Sequence, residues 1–381
     1  MRFILILLTV LGVLYAYIGH QLVGVLSQSP AWKVAEWLLL GLTFALIAWL
    51  PLVRWNQEDE KEGHALKTQE FLEWGAHLSM GILSFLLLFC LLRDVVLYPV
   101  HRFHPFQFPL YGDQATVAIL VLVFGSLAIG IIKALGPPRV KHVKVVFPNL
   151  HPGLEGFRIA QISDLHIGAT IKKPFVAQVV AITNALQADL IAFTGDIIDG
   201  DLRVLREDLT PLFQLRSKLG TFYVTGNHEY YWGVEPLVQA LADQGLVPLL
   251  NEHRRFDVAG ATLVVAGVTD ASAGHYDPVH ASDPARALGE AQGDLKILLA
   301  HQPKSAERAE KAGFDLQLSG HTHGGQFVPW TWVVKWVHQF SGGLGRLGKM
   351  WIYVNLGTGY WGPPVRLGAP SEITLLELTR G

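Results

Sequence analysis

His321 and His323 stand two residues apart between glycines, with Gly320 ahead and Gly324-Gly325 behind. In an extended or turning backbone, residues i and i+2 point to the same side. Two uncrowded imidazoles on one side are placed as metal ligands would be, although a lone pair of this kind is as readily an idle surface turn. Further polar residues decide between the two. Asp164 and His166 follow the apolar run 157–163. Asp196 follows 190–193, with Gly195 before it. Asn227 and His228 follow 221–225 and Gly226. His301 follows 295–300, and the histidine pair itself follows 314–319. Each run reads as a short strand, and in open α/β sheets ligands sit at the carboxyl ends of strands. Five segments far apart in sequence would therefore bring their polar tips to one edge. A helix cap, a turn or a satisfied core histidine would explain any one of them, but not all five at the same structural position.

The residue types define the chemistry. Carboxylate, amide oxygen and imidazole suit manganese, iron, zinc or similar divalent ions. There are too many donors for one tetrahedral zinc. Two metals about 3.5–4 Å apart, sharing a bridging carboxylate, account for the number. Such a pair acidifies a bridging water to hydroxide near neutral pH and clamps phosphoryl oxygens for in-line displacement. Thiol chemistry is excluded in practice. The chain has one cysteine, Cys90, inside an apolar run, so no disulfide can form within it.

The elements that must position these residues occupy only part of the 381-residue chain, which has room for two or three domains. Half the residues are hydrophobic and 16% are charged, which does not describe one soluble globule. A net charge of -2 leaves no nucleic-acid footprint. The apolar residues crowd into four runs, about 3–26, 34–53, 75–92 and 115–135, each near the roughly 18–20 residues that span a bilayer as a helix. The first is too long for a signal peptide and lacks a small-x-small cleavage site. Arg2, Arg54, Lys61, Lys67, Lys133, Arg139, Lys141 and Lys144 would lie on one side, and Lys33, Arg93 and Arg102 on the other. That bias places both termini in the cytoplasm. His20 and His77 within the runs read as packed in the bundle or near its ends.

This gives a transmembrane region over 1–136, a basic linker over 137–154 resting against anionic headgroups, and a catalytic domain over 155–381. Within the last, helical stretches at 173–186, 202–215, 234–244 and 305–312 alternate with the strands, the pattern of an α/β domain. Directly after the histidine pair comes Phe327 to Phe340, carrying Trp330, Trp332, Trp336 and Lys335. Tryptophan prefers the membrane–water interface, so this stretch reads as a flap that dips into the bilayer; a core helix or a wall against the spans is the alternative.

Asp164-x-His166, Gly195-Asp196, Gly226-Asn227-His228-Glu229, His301 and Gly320-His321-Thr322-His323, in this order, resemble the calcineurin-like metallophosphoesterase superfamily. The resemblance covers about residues 155–381 and implies a four-layer α/β/β/α sandwich. It implies one metal held by Asp164, His166, Asp196 and His323. The second would take Asp196 as the bridge, with Asn227, His301 and His321. Asp196, Asn227 and His228 would carry catalysis, His228 contacting the phosphate and protonating the leaving group, with Glu229 able to orient it. The trailing residues Gly324-Gly325-Gln326, Tyr353 to Gly359, Pro364 to Arg366 and Glu372-Ile373 are similar to those of membrane-associated bacterial members, among them UDP-2,3-diacylglucosamine pyrophosphohydrolases and related lipid-active phosphodiesterases. The implied protein is a multi-pass enzyme of the inner cell membrane. It would use two divalent ions, manganese foremost and zinc, iron or a mixture otherwise, on a phosphate ester or pyrophosphate, with the lipid bilayer and a lipid-linked substrate as partners. Two other readings stay open: a tethered phosphodiesterase or phosphatase for soluble nucleotides, and a non-catalytic membrane sensor.

Overall fold

The computed structural model describes residues 2–23, 29–55, 63–103 and 113–381. Its chain divides into two units. One holds the residues up to Ile132 together with Gly362–Leu367, and the other holds Lys133–Trp361 and Gly368–Gly381.

The first unit is helical: α1 (Arg2–Leu22), α2 (Pro30–Trp55), α3 (Gly63–Leu92), a π turn (Arg93–Leu97), α4 (Tyr98–Phe103) and α5 (Asp113–Leu135), whose last turn belongs to the second unit. Among the described residues, four stretches are long and apolar enough to cross a membrane: Ile4–Leu22, Pro30–Pro51, Thr68–Val100 and Asp113–Leu135. Leu38, Val121 and Ile132 point outward and are more than half exposed, an arrangement water would penalise and lipid would not. Each of the four expected apolar runs overlaps one of these helices, the first, expected to reach residue 26, leaving α1 at Leu22. Leu26 and Lys61, used in that reading, lie outside the described residues. The third helix starts well before Gly75, because the polar residues ahead of it continue the helix, with Gln69 donating to Glu73 one turn on. His77 is buried in α3, and His20 is exposed near the end of α1.

Charge inside such a bundle must be paired. Arg93 and Asp94, in the π turn, meet at 2.9 Å, and Tyr17 Oη and Gln21 Nε2 each donate to Asp94 Oδ2 at 2.7 Å.

The second unit is built on two six-stranded sheets. In chain order the strands are β1 (Arg139–Val146), β2 (Arg158–Ile162), β3 (Ile167–Gly168), β4 (Leu190–Thr194), β5 (Ile198–Asp199), β6 (Thr221–Val224), β7 (Val247–Pro248), β8 (Glu252–Val258), β9 (Ala261–Gly267), β10 (Leu295–Leu299), β11 (Leu316–Ser319), β12 (Gly343–Leu347), β13 (Met350–Val354) and β14 (Glu372–Thr379). One sheet runs β1-β14-β2-β4-β6-β7 and the other β12-β13-β11-β10-β9-β8, while β3 and β5 form a separate pair. β2, β4, β6 and β7 are parallel, as are β9, β10, β11 and β13.

Parallel strands buried on both faces read as continuous apolar runs, and β4 shows why. Leu190 and Ala192 face the core between the sheets, with Ile297, Leu299 and Leu318. Ile191 and Phe193 face outward under the helices α6 (Lys173–Ala185), α7 (Leu202–Leu209) and, after α8 (Asn227–Tyr231), α9 (Val234–Ala242). A third cluster joins the far face of the other sheet to α10 (Pro284–Leu288) and α11 (Ala306–Ala312). The layers are therefore α/β/β/α. The helix expected over 202–215 is α7 followed by a 3₁₀ segment at Thr210–Gln214, where Pro211 enters.

The expected basic linker is a strand over most of its charged part. β1 pairs in parallel with β14 over its whole length, from Arg139 opposite Glu372 to Val146 opposite Thr379. Its lysines do not stop this, because it is an edge strand with one fully buried residue, Val145, and edges tolerate charge.

Candidate metal centre

The strand ends deliver the polar residues as their order implies. Asp164 and His166 follow β2, Asp196 follows β4, His301 follows β10, and His321 and His323 follow β11. Asn227 and His228 open α8 just after β6. The backbone at this edge is unusual. Asp164, His166 and Asp196 sit at φ 52°, His321 at 72° and His323 at 50°. Residues with a Cβ occupy this left-handed region at a cost of about 1–3 kcal/mol each, and such residues gather at functional sites. Two glycines make the crowding possible. A Cβ on Gly226 would fall on the Asp196 carboxylate, and one on Gly320 on Ser163 Oγ and the Asp164 carboxylate.

Asp196 is the centre of the arrangement. Its Oδ2 lies 3.1 Å from His301 Nε2, 3.7 Å from His166 Nε2 and 4.0 Å from His228 Nε2. His166 Nε2 is 3.1 Å from His323 Nε2, which is 3.4 Å from Asp164 Oδ1. On the other side, His321 Nδ1 is 3.2 Å from His301 Nε2. The donor atoms fall into three groups, each close enough to hold one ion: Asp164, His166 and His323; His166, Asp196 and His228; and Asp196, His301 and His321. His301 is fixed by its Nδ1, 2.8 Å from the Thr194 carbonyl, which turns Nε2 toward Asp196. Asn227 Nδ2 donates to Tyr231 Oη at 2.9 Å, and its Oδ1 is buried with no hydrogen-bond partner. A buried amide oxygen in that state calls for a positive partner.

Electrostatics agree. Burial, followed by the nearby His228, lowers His166 to about 3, and burial, followed by His301, lowers His321 to about 4. Both are then neutral imidazoles, the form that ligates metals. Burial pushes Asp164 up to about 6. Burial also works against charge on Asp196 and His301, yet each holds the other ionised, Asp196 well below its usual range and His301 well above. A cation beside Asp196 would take over what the His301 proton does there.

His228 is held differently from the expectation. Its Nδ1 is 3.0 Å from Asp199 Oδ1, which also accepts from Trp232 Nε1 at 3.2 Å. Glu229 is turned away, because successive residues of a helix do not face each other. Its carboxylate accepts from the backbone N–H groups of Asp196, Ile197, Ile198 and Gly226, tying two ligand loops together. Asp199 went unrecognised in the sequence; its only signal was Gly-Asp-x-x-Asp spacing from Gly195.

The pattern of a calcineurin-like phosphoesterase model matches residues 157–325, the span that holds all of these loops. A protein of Campylobacter jejuni described as an uncharacterized metallophosphoesterase is 36% identical over 264 residues, covering 69% of each chain. This chain belongs to the calcineurin-like phosphoesterases. A Bacillus subtilis metallophosphoesterase, also described as uncharacterized, is 30% identical over 276 residues, 67% of this chain and 94% of its own. A Bos taurus protein described as a transmembrane protein with metallophosphoesterase domain is 38% identical over 275 residues, 68% of this chain and 62% of its own. The chain thus spans a little under two thirds of that relative. The metallophosphoesterase thus joins His/Asp donor groups that could hold a metal ion to a unit whose described helices include four long and apolar enough to cross a membrane.

The stretch after the ligand loops forms α12 (Trp330–Val337). Thr331 packs inward, while Trp330, Trp332, Trp336 and Val337 are exposed, Trp336 by 88%. These side chains are not part of the domain core.

Proposed function

We propose that this metallophosphoesterase hydrolyses a phosphate ester or pyrophosphate bond of a lipid or lipid-linked substrate with two divalent cations, at the cytoplasmic face of the inner cell membrane. The donor set fits such a pair, Asp164, His166, Asp196 and His323 for one cation and Asp196, Asn227, His301 and His321 for the other. The observation that carries this is Asp196, whose Oδ2 lies within 4.0 Å of three imidazoles on three loops, beside a buried Asn227 Oδ1 that has no hydrogen-bond partner. When bound, the cations supply Lewis acidity, acidifying water and neutralising charge on the phosphoryl group.

The chain's own residues do the rest. Glu229 keeps the loops of Asp196 and Asn227 in register through four backbone hydrogen bonds. Asp199 holds His228 through Nδ1, leaving Nε2 turned toward the Asp196 side. There it donates a proton to the leaving oxygen as the bond from that oxygen to phosphorus breaks and a water oxygen bonds to phosphorus, the water's own proton passing to solvent, from which His228 is reprotonated. The exposed tryptophan face of α12 supports the lipid part of the reading, and four apolar helices support a substrate taken from the bilayer. The basic residues flanking the helices support the cytoplasmic side.

The test uses purified full-length protein with manganese and bis(4-nitrophenyl) phosphate. Turnover is expected, and its loss in Asp196→Ala and His228→Ala. Wild-type rates in either variant would overturn the assignment. Replacing Trp330 and Trp332 together by serine is expected to reduce hydrolysis of vesicle-borne phosphoester lipids and spare a soluble diester. Equal effects on both would remove the lipid part.

A further inference from the structure

Beside His228 stands a set of aromatic rings, three of them with faces that the core leaves about half exposed. The Tyr231 ring lies 5.0 Å from the imidazole and the Trp361 ring 5.7 Å. Tyr276 lies 5.9 Å from Tyr231 and 5.9 Å from the buried Tyr230, at 28° to the latter, close to parallel. His228 is buried, yet Trp361, Tyr231 and Tyr276 keep 42%, 51% and 53% of their surface in solvent. Rings that served the core would be covered. Three half-exposed rings grouped at a buried polar centre form an apolar patch, and such a patch at a site marks a ligand surface.

The rings are held in place. The Trp361 backbone N–H donates to Gln326 Oε1 at 3.0 Å, and Gln326 Nε2 donates back to the Trp361 carbonyl at 3.1 Å, which ties the backbone of Trp361 to the loop just after the histidine pair. Tyr231 is anchored by the bond that it accepts from Asn227. Tyr276 closes a 3₁₀ turn and leans on Tyr230, whose hydroxyl contacts His280 Nδ1 at 3.1 Å. Preorganised faces of this kind bind flat or ring-shaped groups at small entropic cost.

We propose that Tyr231, Tyr276 and Trp361 form the leaving-group subsite, and that the leaving group carries a planar ring such as a nucleoside or aryl alcohol. The assignment rests on His228 being the proton donor to that group, since the patch adjoins this imidazole. Hydrolysis then places the phosphate among the Asp164–His323 donors and the departing ring against the aromatic faces. A lipid tail, if present, belongs to the part of the substrate that keeps the phosphate.

The test separates the ring from the phosphate. Manganese-loaded full-length protein in detergent is assayed for KM with bis(4-nitrophenyl) phosphate and for inhibition by methyl phosphate, which has no ring. Trp361→Ala and Tyr276→Ala are each expected to raise KM about ten-fold, the usual scale of a lost stacking contact, with the inhibition constant of methyl phosphate unchanged. Trp361→Phe and Tyr276→Phe should restore most of the loss. Unchanged KM, or KM and the methyl phosphate constant rising together, would overturn the subsite. If wild type turns over no diester, the hydrolase reading fails by itself. The subsite then stands or falls on calorimetry with 4-nitrophenyl phosphate against methyl phosphate: tighter binding of the ring compound supports it, and equal affinity refutes it.

Discussion

Asp199→Asn is the substitution that most directly probes the proton path. Asp199 Oδ1 is 3.0 Å from His228 Nδ1, and both side chains are nearly buried. Unit charges at that distance interact by about 1.4 kcal/mol in water and about 5.5 kcal/mol at an effective dielectric near 20. Asparagine keeps the shape and loses the charge, so the imidazolium form of His228 loses about 1.4–2.7 kcal/mol of support. That corresponds to about a 10- to 100-fold fall in rate wherever the leaving oxygen needs a proton. Nitrophenolate leaves without one. The assay therefore compares kcat for bis(4-nitrophenyl) phosphate with kcat for a diester that has an alkyl leaving group. The expected result is a small loss on the first and the full loss on the second, with the metal content of the protein unchanged. An equal loss on both substrates would refute the reasoning, because Asp199 would then act on the whole site and not on proton delivery.

Asn227→Ala should lower manganese stoichiometry from about two ions per chain to about one, read by elemental analysis, while Asn227→Asp should keep both; full occupancy in the alanine variant would remove Asn227 from the ligand set. Glu229→Ala strands four buried backbone donors, so it should cost about 3 kcal/mol or more. For a domain of this size that lowers Tm by roughly 6–12 °C, with Glu229→Gln intermediate, and an unchanged melting curve would contradict the tie. Chelation followed by dialysis should lower Tm, and adding manganese at about 100 times its Kd should return about 2.7 kcal/mol of stability. A Tm indifferent to the metal would mean that the ligand loops are not what the ions stabilise.

Much of the catalytic unit was legible because its strands are buried on both faces. Leu190 to Phe193 is apolar at every position and ends in Thr194-Gly195-Asp196, so both the strand and its functional tip can be read from the chain. β1 was not legible. Arg139, Lys141 and Lys144 look like a headgroup-binding tether, and only pairing with β14, more than 200 residues away, makes them a strand. The same limit applies at the site. Adjacency suggested Glu229 as the partner of His228, but the helical start of α8 sends the two side chains in different directions, and the partner is Asp199 on β5. The Asn227–Tyr231 bond spans i to i+4, and becomes visible only once 227–231 is known to be helical.

The left-handed backbone at Asp164, His166, Asp196, His321 and His323 has a bearing on engineering. At each of these addresses glycine is the residue the backbone itself would choose. Backbone relaxation and metal binding therefore pull on the same five codons in opposite directions. Glycine at His166 or His323 would relax the backbone but empty a buried site, so a library selected for heat resistance with metal present should keep both histidines, and one selected in a chelator should show how much of that choice belongs to the ion.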